Sequence, residues 1–376
     1  MKAVINAKLV FPDKVTEGSL LIEGEHITAA GNINVPDDAE IIDAGGLFVG
    51  PGLIDEHVHG FHKNGEGHDI IDDVEGTARA HLMCGTTSIL PSPSYSLRME
   101  RFLSIIDQCN TLIEKGDSSV IGIHLEGPYI NYRMGAGRKY AWKYSDEAFE
   151  RLFLAGGKNV LMCTYAPEMD YAEAVEDMIK KYDVVPAIGH TMADPASIYR
   201  AADNGLKIIT HLFDATGNYK GIKAFDMTGD PQDGVSYVAL SIPGLYYEII
   251  SDRDCIHVTA PSQRLALRCA GEDHIILVSD CTFHKRAEDN GRDVNINESG
   301  SLFGSKLTAA DCAKNFKRVT GIDVRQTFKC ASTNAAKALR IFDRVGSIDE
   351  GKLANLVFVD EDFDVKHIVF RGNLLK

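Results

Sequence analysis

Several features are scarce or missing in this sequence, and each absence argues against a class of protein. The 376 residues contain a single Trp, and no run of about 18 apolar residues that could form a transmembrane helix. The eight cysteines stand singly without a CxxC pair, which favours a reduced cytoplasmic protein over a disulfide-bonded one. The opening MKAVINAKLVFP alternates instead of running apolar, so it predicts a strand and not a signal peptide.

Charge and composition narrow the possible partners. The chain carries 39 basic and 54 acidic residues, a formal charge of −15, and has no dense Lys/Arg run. This balance argues against a nucleic-acid partner. With 44% hydrophobic and 25% charged residues, the chain has globular composition and can bury a large core. One large domain and two unequal domains are both possible.

Both ends of the chain contain short segments in which apolar and polar residues alternate, as they do in β-strands. KAVINAKLV, SLLIEGEHITAAG and AEIIDAGGLFVGPG follow one another at the start, and alternating runs at Leu356–Val359 and His367–Phe370 close the sequence. The two ends could therefore share one small sheet-built domain. We place it at residues 1–50 plus 345–376, on either side of a central region at 51–344.

In the central region, apolar strand-like runs alternate with amphipathic helical segments, a pattern typical of a parallel sheet covered by helices. Eight strands are predicted, the number that a closed (β/α)8 barrel needs. They are Leu53–His59, Thr86–Leu90, Val120–Leu125, Val160–Tyr165, Val184–Gly189, Lys207–His211, Asp254–Val258 and His274–Ser279.

Capping residues mark two of the helices between these strands. Asp194 can cap a helix whose first position is Pro195, and Gly205 can end it. Ser145 is a second N-cap, because two acidic residues and then an apolar stripe beginning at Phe149 follow it.

Side chains able to bind a metal or move a proton lie at the ends of five predicted strands. They are His57, His59, Glu126, His190, His211 and Asp280. Because the carboxyl ends of barrel strands meet at one face, residues distant in sequence become neighbours there. Each has an ordinary structural alternative. His57 and His59 could be polar residues at a strand end, Glu126 could cap a helix, His190 or His211 could be a buried histidine, and Asp280 could begin a turn.

Imidazole nitrogens combined with carboxylates suit Zn²⁺, and also Fe²⁺, Mn²⁺ or Co²⁺, because this donor set is borderline between hard and soft. One or two ions could bind, with Zn²⁺ favoured. An open coordination position lowers the pKa of water toward about 7 and polarises a carbonyl. Asp280 is then placed to take the proton of the water and pass it to a leaving amine.

The motifs HLEGPYIN, GHT, THLFDAT, IHV, VSD and GSLFGSKLTAAD, in this order, resemble the N-acetylglucosamine-6-phosphate deacetylases of the amidohydrolase superfamily. The resemblance runs over nearly the whole chain. The closing SIDEGKLANLVFVDEDF is similar to the last segment of that superfamily, which pairs with the N-terminal strands. It implies an α/β fold, a TIM-like barrel with a small β-sandwich domain built from both chain ends.

The resemblance also assigns roles to the strand-end residues. It implies that Glu126, His190 and His211 form the principal metal site and that Asp280 is the catalytic acid and base. His57 and His59 match the His-X-His that supports a second metal in the family members possessing it. Family members are typically homodimers, so a homodimer is expected.

Substrate contacts are implied at three further places. His257 matches a position that contacts the sugar, and Asp214 and Ala215 match an Asn-Ala pair that helps to hold the substrate phosphate. The family's carbonyl-polarising His is replaced in the run Gly135–Arg138, where Arg138 could act as a cationic donor. A second metal held by the His-X-His could also take over that task.

The phosphate region departs further from the family pattern. The carboxylate of Asp214 stands where the family has Asn and would repel a phosphate. Lys220 and Lys223 could restore positive charge, although they could equally be solvated loop lysines.

The function expected is metal-dependent hydrolysis of the N-acetyl amide of an amino sugar or its phosphate, giving the free amine and acetate. The alternatives are hydrolysis of another N-acyl compound or cyclic amide on the same barrel, and a degenerate homologue that only binds ligand.

Overall fold

The computed structural model describes residues 1–94, 96–135, 142–217, 234–283, 291–297 and 300–375. Its strands, numbered β1–β20 along the chain, form one eight-stranded sheet, one closed barrel and two small hairpins.

Both ends of the chain enter the eight-stranded sheet. Its strands are β1 (Lys2–Val10), β2 (Val15–Glu23), β3 (His26–Gly31), β4 (Glu40–Asp43), β5 (Phe48–Pro51), β18 (Leu356–Val359), β19 (Val365–Phe370) and β20 (Asn373–Leu374). The order is β20-β19-β18-β5-β1-β2-β3, with β4 beside β1. The ends join where β18 runs antiparallel to β5, with Val357 opposite Gly50. Val4, Leu20 and Phe358 belong to an apolar cluster that is separate from the core of the barrel.

Eight parallel strands form the barrel. They are β6 (Leu53–Val58), β9 (Thr86–Pro91), β10 (Ile123–Glu126), β11 (Val160–Tyr165), β12 (Val185–Ile188), β13 (Ile208–Ile209), β14 (Tyr246–Ile249) and β15 (Ile275–Leu277). β10 to β15 pair in sequence order, and β6 pairs with β9. Parallel bridges between Ser94 and Glu126 and between Val58 and Cys281 close the ring. The predicted barrel with an additional domain is confirmed.

Helices cover the outside of the barrel and bury one face each against it. They span Val74–Leu82, Met99–Lys115, Asp146–Gly156, Ala172–Lys181, Pro195–Asp203, Val235–Leu240, Ala260–Ala270, Ala309–Thr320, Val324–Phe328 and Asn334–Ala338. Phe102, Phe149 and Phe316 are fully buried in the cluster between helices and strands, where each contributes about 1.5–3 kcal/mol of burial energy. Among the described residues, no helix is long and apolar enough to cross a bilayer.

Two short hairpins lie outside the barrel sheet and the terminal sheet. One consists of β7 (Gly60–Lys63) and β8 (Glu66–Asp69), directly after β6, and the other of β16 (Val294–Ile296) and β17 (Leu302–Ser305).

Both predicted helix caps are present. The Asp194 side chain accepts a hydrogen bond from the backbone N of Ser197 at 2.7 Å, at the start of Pro195–Asp203. The Ser145 hydroxyl accepts from the backbone N of Ala148 at 3.2 Å. Each cap satisfies a backbone N–H that would otherwise lack an intrahelical partner.

The seventh predicted strand was wrong. Asp254–Val258 is not a strand; the seventh barrel strand is Tyr246–Ile249. The physical reason is the carboxylate of Asp252, which accepts hydrogen bonds from the backbone N of Ile256 and of His257, both at 2.9 Å. These local bonds fold the segment into a turn, because they occupy backbone donors that a strand ladder would use.

Candidate metal centre

The six strand-end residues predicted from the sequence meet at the carboxyl end of the barrel. They are His57 in β6, His59 directly after it, Glu126 at the end of β10, His190 beyond β12, His211 beyond β13 and Asp280 beyond β15. His190, His211 and Asp280 have positive φ angles of 47°, 31° and 48°. This backbone conformation is uncommon for residues other than glycine and is often found at functional sites.

Glu126 lies at the centre of the group. Its Oε1 is 2.8 Å from His190 Nε2, 3.2 Å from His57 Nε2 and 3.5 Å from His211 Nε2. Its Oε2 is 3.5 Å from His59 Nε2. The two carboxylate oxygens therefore face different imidazoles, Oε1 those of His57, His190 and His211 and Oε2 that of His59.

The orientation of the imidazoles fits a divalent cation. The Nδ1 of His59 donates to the carbonyl of Ser92 at 2.6 Å, and that of His211 donates to the carbonyl of Asp214 at 2.9 Å. In the neutral ring each Nε2 then carries the lone pair that a metal needs. His211 Nε2 and His190 Nε2 are only 3.1 Å apart, a spacing suited to two nitrogens sharing one cation.

Asp280 adjoins the other side of the group. Its Oδ1 is 3.1 Å from His59 Nε2 and 3.8 Å from His57 Nε2. Burial raises the pKa of Asp280, but the hydrogen bond from His59 and the charges of both histidines outweigh it and lower the pKa to about 2. The side chain is therefore a carboxylate at neutral pH, the form that accepts a proton.

Electrostatics inside the centre favour cations. Burial raises the pKa of Glu126, but His190, His59 and His57 hold it well below its usual range. Burial lowers the pKa of His211, yet the hydrogen bond with Glu126 raises it to about 9. A metal ion bound here would replace protons on the imidazoles, so its affinity should fall as the pH falls.

Sequence patterns did not reveal Glu248, which lies on β14 behind the histidines. It is fully buried. Its Oε2 accepts from His57 Nδ1 at 3.1 Å and from the backbone N of His211 at 3.1 Å. Burial and then the charge of Glu248 raise the pKa of Glu56 well above its usual range, which favours the neutral form of Glu56 beside Glu248. The sequence signal that could have pointed to Glu248 is a single acidic residue inside the apolar run YYEII.

His124 and Ser92 form a further buried support that was not predicted. The Nδ1 of His124 is 3.1 Å from the Ser92 hydroxyl, and its Nε2 is 2.8 Å from the hydroxyl of Thr164. The Ser92 hydroxyl also accepts from the backbone N of Val58 at 3.1 Å. This network fixes the strand ends on which His57 and His59 lie.

The predicted substrate contacts lie beside the metal centre. His257 is buried, with Nδ1 3.5 Å from Asp252 and Nε2 3.9 Å from Asp214. Burial lowers the pKa of His257, but Asp252, Asp214 and Asp280 together raise it. Ala215 has a φ of 46°, and its carbonyl accepts from the backbone N of Thr191 at 3.1 Å.

Three other predicted residues cannot be placed. Arg138, Lys220 and Lys223 lie outside the described residues.

Residues 48–375 match the amidohydrolase family. The chain therefore belongs to the amidohydrolase family, a family of metal-dependent hydrolases. Within it, the chain falls in the N-acetylglucosamine-6-phosphate deacetylase branch that its motifs predicted.

Curated relatives support this placement, and solved structures share the fold. The N-acetylglucosamine-6-phosphate deacetylase of Bacillus subtilis (strain 168) is 30% identical over 351 residues, covering 86% of this chain and 83% of the relative. That of Lysinibacillus sphaericus is 27% identical over 377 residues, covering 95% and 91%. Among structures, the deacetylase of Thermotoga maritima has a TM-score of 0.81 at 25% identity, covering 99% of both chains. The deacetylase of Pasteurella multocida has a TM-score of 0.86 at 24% identity, covering 100% of this chain and 99% of the other.

Proposed function

We propose that the chain hydrolyses the N-acetyl amide of an amino sugar, most readily N-acetylglucosamine-6-phosphate, to give the free amine and acetate. The observation that carries the proposal is the position of the Asp280 carboxylate, 3.1 Å from His59, beside the imidazoles gathered around Glu126. The curated relatives with this name support the substrate class.

Glu126, His190 and His211 would hold one divalent cation, and His57 and His59 would hold a second; His57 faces Oε1 of Glu126 and His59 faces Oε2. The mixed imidazole and carboxylate donors favour Zn²⁺. When bound, such a cation lowers the pKa of water toward about 7 and polarises a carbonyl oxygen.

Asp280 would carry the proton through the reaction. Its low pKa keeps it unprotonated at neutral pH, so it can take a proton from the attacking water. It would then donate this proton to the amide nitrogen as the carbon–nitrogen bond breaks, which makes the amine a better leaving group. His257 and Asp214 would form the wall against which the sugar lies, and Arg138 remains the proposed donor to the carbonyl.

A second candidate is an unphosphorylated N-acetylhexosamine. The specific observation in its favour is the carboxylate of Asp214, which is 26% exposed and faces His257. A carboxylate at that position repels a phosphate but can accept hydrogen bonds from sugar hydroxyl groups.

Turnover of N-acetylglucosamine-6-phosphate, N-acetylglucosamine and N-acetylgalactosamine-6-phosphate by metal-quantified protein tests the proposal, with acetate release as the readout. Asp280→Asn should lower kcat by about 10²–10⁴-fold, whereas Asp38→Asn at an exposed position should match the wild type. Absence of turnover on all three sugars at full metal occupancy would contradict the proposal.

We further propose that the protein is a cytoplasmic homodimer. All eight cysteines are unpaired, which fits a reducing compartment. Light scattering at micromolar concentration tests the dimer.

A further inference from the structure

Glu168 lies in the loop that follows β11 and connects two neighbouring loops of the metal centre. Its Oε1 accepts from the side-chain amide of Asn131 at 2.8 Å and from the backbone N of Met192 at 2.7 Å. Its Oε2 accepts from the hydroxyl of Thr191 at 2.5 Å. One half-buried carboxylate thus takes three hydrogen bonds from two other loops, and hydrogen bonds to a charged acceptor are among the strongest in proteins.

These donors flank His190 on the chain and in space. Thr191 and Met192 follow His190 directly, and Thr191 is fully buried. Asn131 belongs to the loop that begins at Glu126, and its backbone N donates to the carbonyl of His190 at 3.0 Å. Glu168 therefore binds the segment that follows His190, and it also binds Asn131, which contacts the His190 carbonyl.

Thr191 extends the same contacts to the loop after β13. Its backbone N donates to the carbonyl of Ala215 at 3.1 Å, and its carbonyl accepts from the backbone N of Gly217 at 2.8 Å. That loop begins at His211. The loops bearing Glu126, His190 and His211 are thus joined around Thr191 and Glu168.

His190 needs such support because its own backbone does not favour its position. β12 ends at Ile188, and His190 has a φ of 47°, in the left-handed region that side chains other than glycine rarely adopt. A residue in this conformation persists when its surroundings determine it. The ring of His190 must also stay near Glu126, which lies 2.8 Å from its Nε2.

We propose that Glu168 is a positioning residue that fixes His190 relative to Glu126 and so sets the metal affinity and coordination geometry of the centre. The inference rests on the proposed function only in that the centre binds a divalent metal. Glu168 acts through Asn131, Thr191 and Met192, and is not itself a proposed ligand.

The test compares Glu168→Ala, Glu168→Gln and the control Glu173→Ala, an exposed glutamate in the helix that follows the same loop. Each variant is loaded with Co²⁺, and its dissociation constant and visible absorption spectrum are measured. Glu168→Ala should weaken Co²⁺ binding by about 10- to 100-fold, the usual effect of losing a group that orients a ligand, and should change the spectrum.

Glu168→Gln should restore most of the affinity, because its amide oxygen can still accept from Asn131 and Met192. Thr191→Val removes one of the three hydrogen bonds to Glu168 at nearly constant volume, together with the hydrogen bond that the Thr191 hydroxyl accepts from the backbone N of Ala193. It should give an intermediate affinity, and it replaces Glu168→Ala as the test if that variant does not fold. Wild-type affinity and spectrum in Glu168→Ala, or in Thr191→Val if the first does not fold, would overturn the inference.

The spectrum separates positioning from a general loss of stability, which would not alter the coordination of the folded fraction. Because metal binding is measured without substrate, a wild-type protein that binds Co²⁺ but hydrolyses none of the sugars would contradict the proposed function alone. A wild-type protein that binds no Co²⁺ would overturn both.

Discussion

Replacing Glu248 by alanine should weaken the metal centre without altering any proposed ligand. The substitution removes the acceptor for His57 Nδ1 and for the backbone N of His211, both at 3.1 Å. Each buried donor left unsatisfied costs about 1–3 kcal/mol, so the two together cost about 2–6 kcal/mol of stability. Part of this loss is offset, because Glu56 no longer faces a second carboxyl group in the buried interior.

Metal affinity should fall with stability. Losing an orienting partner of a histidine ligand typically lowers affinity by about 10- to 100-fold, which corresponds to about 1.4–2.8 kcal/mol. Glu248→Gln should lose less than about tenfold, because its amide oxygen can still accept from His57 Nδ1 and from the backbone N of His211.

Competition with a chelator for Zn²⁺ and chemical denaturation of the metal-free protein measure the two effects. Glu17→Ala, at an exposed strand position of the terminal sheet, is the matched control and should leave both unchanged. Wild-type Zn²⁺ affinity in a folded Glu248→Ala variant would refute the reasoning, since it would show that His57 keeps its orientation without this acceptor.

Three further predictions concern Asp280, Asp214 and Glu272. Asp280→Asn should abolish most turnover while Zn²⁺ still binds, which equilibrium dialysis followed by metal analysis checks. Asp214→Asn removes a charge of the same sign as the phosphate and should lower KM for N-acetylglucosamine-6-phosphate by about fivefold, or about 1 kcal/mol. The KM for N-acetylglucosamine should not change to match. Equal changes in KM for both sugars would show that Asp214 does not face the phosphate. Burial raises the pKa of Glu272, but Lys329 and two neighbouring donors lower it from 4.5 to about 2. Its contribution is therefore fully present above pH 4.5 and is lost as the pH falls toward 2. Because the side chain is 21% exposed, solvent screening limits its contribution to the free energy of unfolding to about 2 kcal/mol. In Glu272→Gln, the loss of unfolding free energy as the pH falls should be smaller than in the wild type by that amount.

The barrel could be predicted from the sequence because its signals are local. Seven of the eight predicted strands overlap observed ones, since each is a short apolar run bounded by helix-starting residues such as Asp194. The seventh was misplaced because Glu248 interrupts an apolar run, while Cys255–Val258 imitates a strand. Only the buried partners of Glu248 make a charged residue compatible with a barrel strand.

The sequence by itself also determined which residues could form the site. His57, His59, Glu126, His190, His211 and Asp280 each close an apolar run, and parallel strands bring their carboxyl ends to one face. Their assignment as metal ligands and proton carrier remains a prediction for the experiments above.

Tertiary structure alone decided how these residues are held. The central place of Glu126, the acceptor role of Glu248 and the loop contacts of Glu168 all depend on groups tens of residues apart. Hydrogen bonds such as that between Asn131 and Glu168 exist only when the barrel has closed and its loops pack against one another. No periodicity or spacing along the chain encodes such contacts, because they depend on side-chain geometry fixed by long-range packing.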